Sequence, residues 1–173
     1  MMTQKEKIIE CLEKYAWNIC TVDRFYMGNG ISQKTLKNAI KTYAAGVVES
    51  DVIALLDVTL TGNGKEGFLF TDTMAYYKDS GKQGEFVYKD IKSVEVEDED
   101  EDSKTSLYID TKDGEEYEWR SRMMNKVPVY HFFKDVMAYF KEEKKKQEEK
   151  IIKSTVSDDV QQQVNDLFAR LTK

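Results

Sequence analysis

The sequence predicts an α+β protein in which an antiparallel β-domain is set between helical segments at both ends. Two observations carry this: apolar residues alternate along seven short runs separated by turn-forming residues, and the flanks carry apolar stripes at helical spacing. With 40% hydrophobic residues, a chain of 173 can bury a core without disulfide or metal staples.

The first segment covers residues 1–50. From Thr3 to Cys20 the apolar Ile8, Ile9, Leu12, Tyr15, Ala16 and Ile19 recur at helical spacing, with Lys5, Glu6, Glu13 and Lys14 opposite, which predicts one amphipathic helix. Gly28-Asn29-Gly30 breaks it. Ser32 then serves as N-cap of a second helix bearing Leu36, Ala39, Ile40 and Tyr43, with Gly46 as its stop.

Residues 51–141 form the β-domain and its closing helix. The strands expected are Val52 to Leu60, Gly67 to Thr71, Thr73 to Lys78, Gly84 to Lys89, Ile91 to Glu97, Thr105 to Thr111 and Glu115 to Ser121. Leu56, Val58 and Leu60 share one face, as do Phe68 with Phe70, Val94 with Val96, Leu107 with Ile109, and Tyr117 with Trp119. Turn signals at Gly62-Asn63-Gly64, Thr71-Asp72, Ser80-Gly81 and Lys112-Asp113-Gly114 make the links hairpins, so the sheet is expected to be a meander. Pro128 suits the first turn of a helix whose stripe is Val129, Phe132, Phe133, Val136, Met137 and Phe140, and which caps the sheet.

Residues 142–173 complete the chain. The stretch from Lys141 to Lys150 is almost wholly charged, with Glu142 and Lys146 at i,i+4, as in a solvated helix. Ser157-Asp158-Asp159 reads as the N-cap of a terminal amphipathic helix whose stripe is Val160, Val164, Leu167, Phe168 and Leu171. That stripe needs an acceptor, and it is the candidate partner-binding surface. The expected acceptor is the chain's own amino-terminal helices or, preferred, a second copy, giving a homodimer.

Charge and composition set limits on function. A formal net charge of −6 disfavours nucleic acid and anionic membrane surfaces as partners. No apolar run approaches the roughly 18 residues of a membrane span, and Met1 to Glu10 lacks the core of a signal peptide, so a cytoplasmic location is expected. Cys11 and Cys20 would lie roughly 13 Å apart on one helix, too far for a disulfide. His131 is the single histidine, and no metal-ligand spacing occurs, so neither a metal nor a cofactor is expected.

Several constellations resemble chemical motifs and fail on context. Gly62, Gly64 and Gly67 fit GxGxxG, but Phe68 to Thr71 follows as a strand where a helix N-terminus should aim at phosphate. Asp98, Asp100 and Asp102 have calcium-loop spacing, yet Ser103 stands where glycine is required and Ile109 where the bidentate glutamate belongs. The acidic run from Glu95 to Asp102 is therefore read as a solvated loop. His131 lacks a nucleophilic partner, and the carboxylates lie in charged surface stretches, so no enzymatic activity is expected.

The runs Leu56-Asp57-Val58-Thr59, Gly64 to Asp72, Tyr76-Tyr77 and Tyr88-Lys89-Asp90-Ile91 resemble those of bacterial PH-like and GRAM-like domains, of the pleckstrin-homology superfold. The resemblance covers about residues 51–141 and implies a seven-strand barrel capped by a helix. It implies further that phosphoinositide-binding members place several bases around the first hairpin, where this chain has Lys65 beside Glu66. The function expected is a non-catalytic intracellular protein-interaction module working through a sheet edge, the acidic loop or the terminal helix. The alternative is a lipid- or small-ligand-binding regulator of GRAM-like type.

Overall fold

The computed structural model describes residues 2–98, 100 and 104–171, with side chains described through residue 152 except at 99 and 101–103. The chain divides into two units, Met1–Met137 and Ala138–Lys173. The architecture is α+β, with two antiparallel sheets and a long carboxy-terminal helix.

Helix α1 spans Gln4–Glu13 and starts at a capping box in which Thr3 and Glu6 satisfy each other's backbone amides. The single helix expected from Thr3 to Cys20 is therefore too long. A 3-10 turn at Ala16–Asn18 follows α1, and the chain then bonds through Ile19 and Thr21 to Asn125 and Met123, with Cys20 in an isolated antiparallel bridge to Met124. Strand β1, Phe25–Met27, comes next and was not among the seven expected strands. Three residues are too few for a periodicity to register. Helix α2 spans Gln33–Tyr43, with Ser32 as its N-cap as the sequence predicts.

Strands β2 (Val52–Asp57), β3 (Gly67–Thr71), β4 (Met74–Asp79) and β5 (Lys82–Val87) join β1 in a five-stranded sheet of order β1-β2-β3-β4-β5. Strands β6 (Ile91–Val96), β7 (Leu107–Thr111) and β8 (Glu116–Trp119) form a second sheet of three. All seven expected segments contain a strand. The four glycine- or aspartate-bearing turns are hairpins, whereas a 3-10 corner at Tyr88–Asp90 separates β5 from β6 without a ladder. The expected closed barrel is thus not formed: β5 and β6 do not pair, and β1 occupies the edge of β2.

The register explains why β2 and β3 are buried along their whole length. Leu55, Leu69 and Tyr76 lie opposite one another on one face, beneath Leu36, Ala39 and Tyr43 of α2. The opposite row, Leu56, Phe68 and Tyr77, faces the second sheet. Here Trp119 is fully buried, with its ring centroid 4.5 Å from Phe68, 5.6 Å from Tyr77 and 5.8 Å from Phe86. The expected face shared by Leu56, Val58 and Leu60 does not exist, because β2 ends at Asp57 and Leu60 is 93% exposed.

Helix α3 spans Lys126–Leu171 without a break. Its first turns bury Val129, Phe132, Phe133 and Val136, and Phe133 lies 5.5 Å from Trp119. In the unit beyond Met137, Lys146 pairs with Glu142 at 3.0 Å, the contact predicted from i,i+4 spacing. Ser157 does not cap a new helix: its backbone is interior to α3.

Replacing Trp119 with alanine should destabilise the chain by about 3–5 kcal/mol, through lost burial and the cavity left among the rings. Urea unfolding measures this. A loss below about 1 kcal/mol would place Trp119 outside the core.

Candidate functional site

Two regions concentrate polar and exposed apolar groups: the β2–β3 turn, and the surface from the end of α1 to β1. The turn is built around Asp57, whose side chain is fully buried. Its carboxylate accepts from the Thr59 hydroxyl at 2.6 Å, the Thr59 amide at 2.9 Å and the Gly64 amide at 3.0 Å. The Asn63 amide donates to the Thr59 hydroxyl, and the Lys65 amide to the Asn63 side chain. A phosphate would find these amides already occupied, which agrees with reading GxGxxG as a hairpin rather than a nucleotide loop. Gly64 has φ +72°, and a Cβ there would lie 2.5 Å from the Thr35 carbonyl, so only glycine lets the turn sit against α2.

The turn is also tied to the chain ahead of β1. Arg24 donates to the Thr59 carbonyl, and to that of Leu60 at 3.2 Å. Just before Arg24, Asp23 takes a left-handed conformation with φ 54°, which Asp tolerates better than most residues. This corner redirects the chain into β1.

Trp17 is 82% exposed, unusual for a large aromatic side chain. It lines two adjoining clefts. One, of about 330 Å³, is bordered by Tyr15, Asn18, Pro128 and His131; the other, of about 310 Å³, by Ala16, Cys20, Asp23, Phe25 and Met27. Met27 also borders a third cleft of about 690 Å³, lined by Lys5, Glu13, Gly28, Glu49 and Val52.

The second cleft is bordered by Phe25 and Met27 of β1. The Asp57 amide donates to the Arg24 carbonyl at 3.1 Å, and groups aimed at a partner strand alternate along an antiparallel ladder. Tyr26, opposite Leu55, therefore directs its amide and carbonyl at β2, and those of Phe25 and Met27 point away from it.

The other candidate groups do not assemble into chemistry. His131 is exposed and stacks on Tyr15 at 5.9 Å, while Tyr15 and Lys14 both reach Asp135. Cys11 is buried, and that burial pushes its thiol pKa up, away from the nucleophilic thiolate. Among the described residues no group of acids, histidine and cysteine could hold a metal ion. The acidic loop lies partly outside the described residues, with Asp98 bonded through its amide to Thr105.

The predicted partner-binding residues Val160, Val164, Leu167, Phe168 and Leu171 fall on the backbone of α3, and their side chains lie outside the described residues. Ahead of them, Ile151 and Ile152 are each more than 60% exposed. Sequence reading did not single out Trp17, Asp23, Phe25 or Met27; the available signal was a tryptophan on the polar face, beside Glu6 and Glu13, of the helix expected from Thr3 to Cys20.

No family model and no curated protein matches the chain. Among the described residues no helix is long and apolar enough to cross a membrane.

Two outcomes follow from this geometry. Asp57→Ala leaves the Gly64 and Thr59 donors without their acceptor and should lower stability by about 3 kcal/mol in urea unfolding; a loss under about 1 kcal/mol would show that the turn does not depend on the carboxylate. In the folded chain at about pH 8, iodoacetamide should alkylate half-buried Cys20 well before Cys11, as followed by peptide mass spectrometry. Equal rates would contradict the burial of Cys11.

Proposed function

We propose that the chain is a non-catalytic intracellular protein-interaction module built on a PH-like scaffold. Four hairpin-linked strands, β2 to β5, followed by three more and then a helix, support the PH-like reading. The observation that carries the functional reading is Trp17, four-fifths exposed between two clefts. Neighbouring backbone is held by the Ile19 to Thr21 bonds and by Arg24, so the indole is presented from a fixed platform. Tryptophan on such a platform offers a large contact area at low entropic cost, as in interface hot spots. Ile151 and Ile152, with the stripe that follows them in sequence, support the distal part of α3 as a second contact, for a partner or another copy.

The GRAM-like alternative has less support. Its ligand would enter an interior that Trp119, Phe68, Phe86 and Phe133 fill, and the β2–β3 turn offers Lys65 as its one base. Anionic headgroups need several such bases.

A photo-crosslinking amino acid at position 17 in living cells, with one at Lys112 as control, tests the module. A protein adduct specific to position 17 is the expected result. Co-sedimentation of the chain with anionic vesicles at about 150 mM salt, without a protein adduct, would replace this reading with the lipid one.

A further inference from the structure

We propose that the outer edge of β1 receives an extended segment of a partner protein as an added strand, with basic side chains in that segment meeting the acidic rim of the cleft. The inference rests on the protein-interaction reading and specifies its ligand.

The four edges of the two sheets are unequal. Strand β5 carries Lys82 and Glu85, β6 carries Lys92 and Glu95, and β8 carries Glu116 and Glu118. Charges of this kind discourage pairing with a foreign strand. The β5 edge is also occupied, since Tyr117 of β8 donates to the Glu85 carbonyl at 2.9 Å and Lys82 pairs with Glu118 at 3.0 Å. Strand β1, Phe-Tyr-Met, has no charged residue; the amides of Phe25 and Met27 and the Phe25 carbonyl face outward, while the Met27 carbonyl caps the 3-10 turn at Gly28–Gly30. An added strand would lie about 4.8 Å from β1, whose Phe25 and Met27 also border the cleft that holds Trp17.

The walls of the cleft define what the segment carries. Trp17 offers an apolar ring on one side. Asp23 stands in this cleft, and Glu13 and Glu49 in the one that continues past Met27. Among the described residues none of these three acids has an ion-pair partner. Of the nearby bases, Lys14 pairs with Asp135 at 2.9 Å, whereas Lys5 and Arg24 are bonded to neutral carbonyls and keep their charge. Asp23, Glu13 and Glu49 line the two clefts together with one lining base, Lys5, so the charge along them is negative. A segment that alternates apolar and basic residues places one kind against Trp17 and the other toward the acids.

The test uses the full chain and three synthetic peptides of about ten residues. The first alternates valine and lysine, the second valine and glutamate, and the third is the valine-lysine peptide with alternate amides N-methylated. Heteronuclear NMR and amide exchange report on Phe25 and Met27, and the alkylation rate of Cys20 reports on occupancy of the cleft. The valine-lysine peptide should protect both amides and slow Cys20 alkylation, with the other two peptides binding at least about tenfold more weakly. Asp23→Asn should narrow the preference for lysine over glutamate without abolishing amide protection. Equal binding of all three peptides, or binding that leaves Phe25 and Met27 unprotected, overturns strand addition. So does the absence of binding at about 1 mM peptide. A protein adduct at position 17 alongside such a failure keeps the interaction module and removes the added strand, whereas loss of that adduct removes the module itself.

Discussion

The fold depends on the packing of Trp119 against rings contributed by the first sheet and by α3. Phe68, Tyr77 and Phe86 come from the first sheet, Trp119 ends the second, and Phe133 belongs to α3. No ladder joins the two sheets, so their attachment is a matter of side chains rather than backbone hydrogen bonds. Gly84 shows how close the approach is: a Cβ there would lie 2.8 Å from the Tyr77 ring and 2.9 Å from that of Tyr117. A side chain at this point would separate β5 from β8, whose contact completes that side of the molecule.

The interior between the sheets is filled by rings, so contacts with other molecules fall to the outside. On the side away from Trp119, α2 covers β2, β3 and the start of β4 through Leu36, Ala39 and Tyr43, leaving β5 exposed there at Gln83 and Glu85. What remains accessible is edges, turns and helix surfaces. Of these, the β2–β3 turn is bound up in its own hydrogen bonds around Asp57, and the β5 edge is engaged by β8. The region from Trp17 to Met27 is where exposed apolar surface and outward-facing backbone groups coincide.

Much of this architecture was legible in the sequence, for identifiable reasons. Alternation along Phe68-Leu69-Phe70 and the turns at Gly62, Ser80 and Gly114 are local signals, and local signals placed seven strands and four hairpins. Ser32 as a cap and Glu142 with Lys146 as a pair succeeded on the same ground. The failures arose where tertiary contacts decide. Ile19 continues the helical stripe of α1 by spacing, yet its carbonyl accepts from Asn125, far along the chain, and the helix gives way to a 3-10 turn and an isolated bridge at Cys20. Two-sided burial of β2 depends on α2, which no periodicity within β2 announces. Strand β1 is too short to be read at all, and the proposed site is built on it. The terminal stripe from Val160 to Leu171 was placed on helical backbone correctly, but its supposed cap at Ser157 was not, because a Ser-Asp-Asp run is tolerated inside a helix that already has turns before it.

The brevity of β1 has a thermodynamic consequence. Two outward residues present up to three ladder hydrogen bonds, because the Met27 carbonyl is used by the 3-10 turn, and at about 0.5–1.5 kcal/mol each these fall at or below the roughly 4–15 kcal/mol that association takes from translational and rotational freedom. The edge alone therefore holds nothing. Burial of an exposed indole adds on the order of 2–3 kcal/mol, and a charge pair at a partly shielded rim adds up to about 1 kcal/mol. A partner engages only when strand, apolar side chain and base are presented together, and release remains fast. By the same arithmetic, another copy of β1, which could offer backbone bonds alone, would not be held.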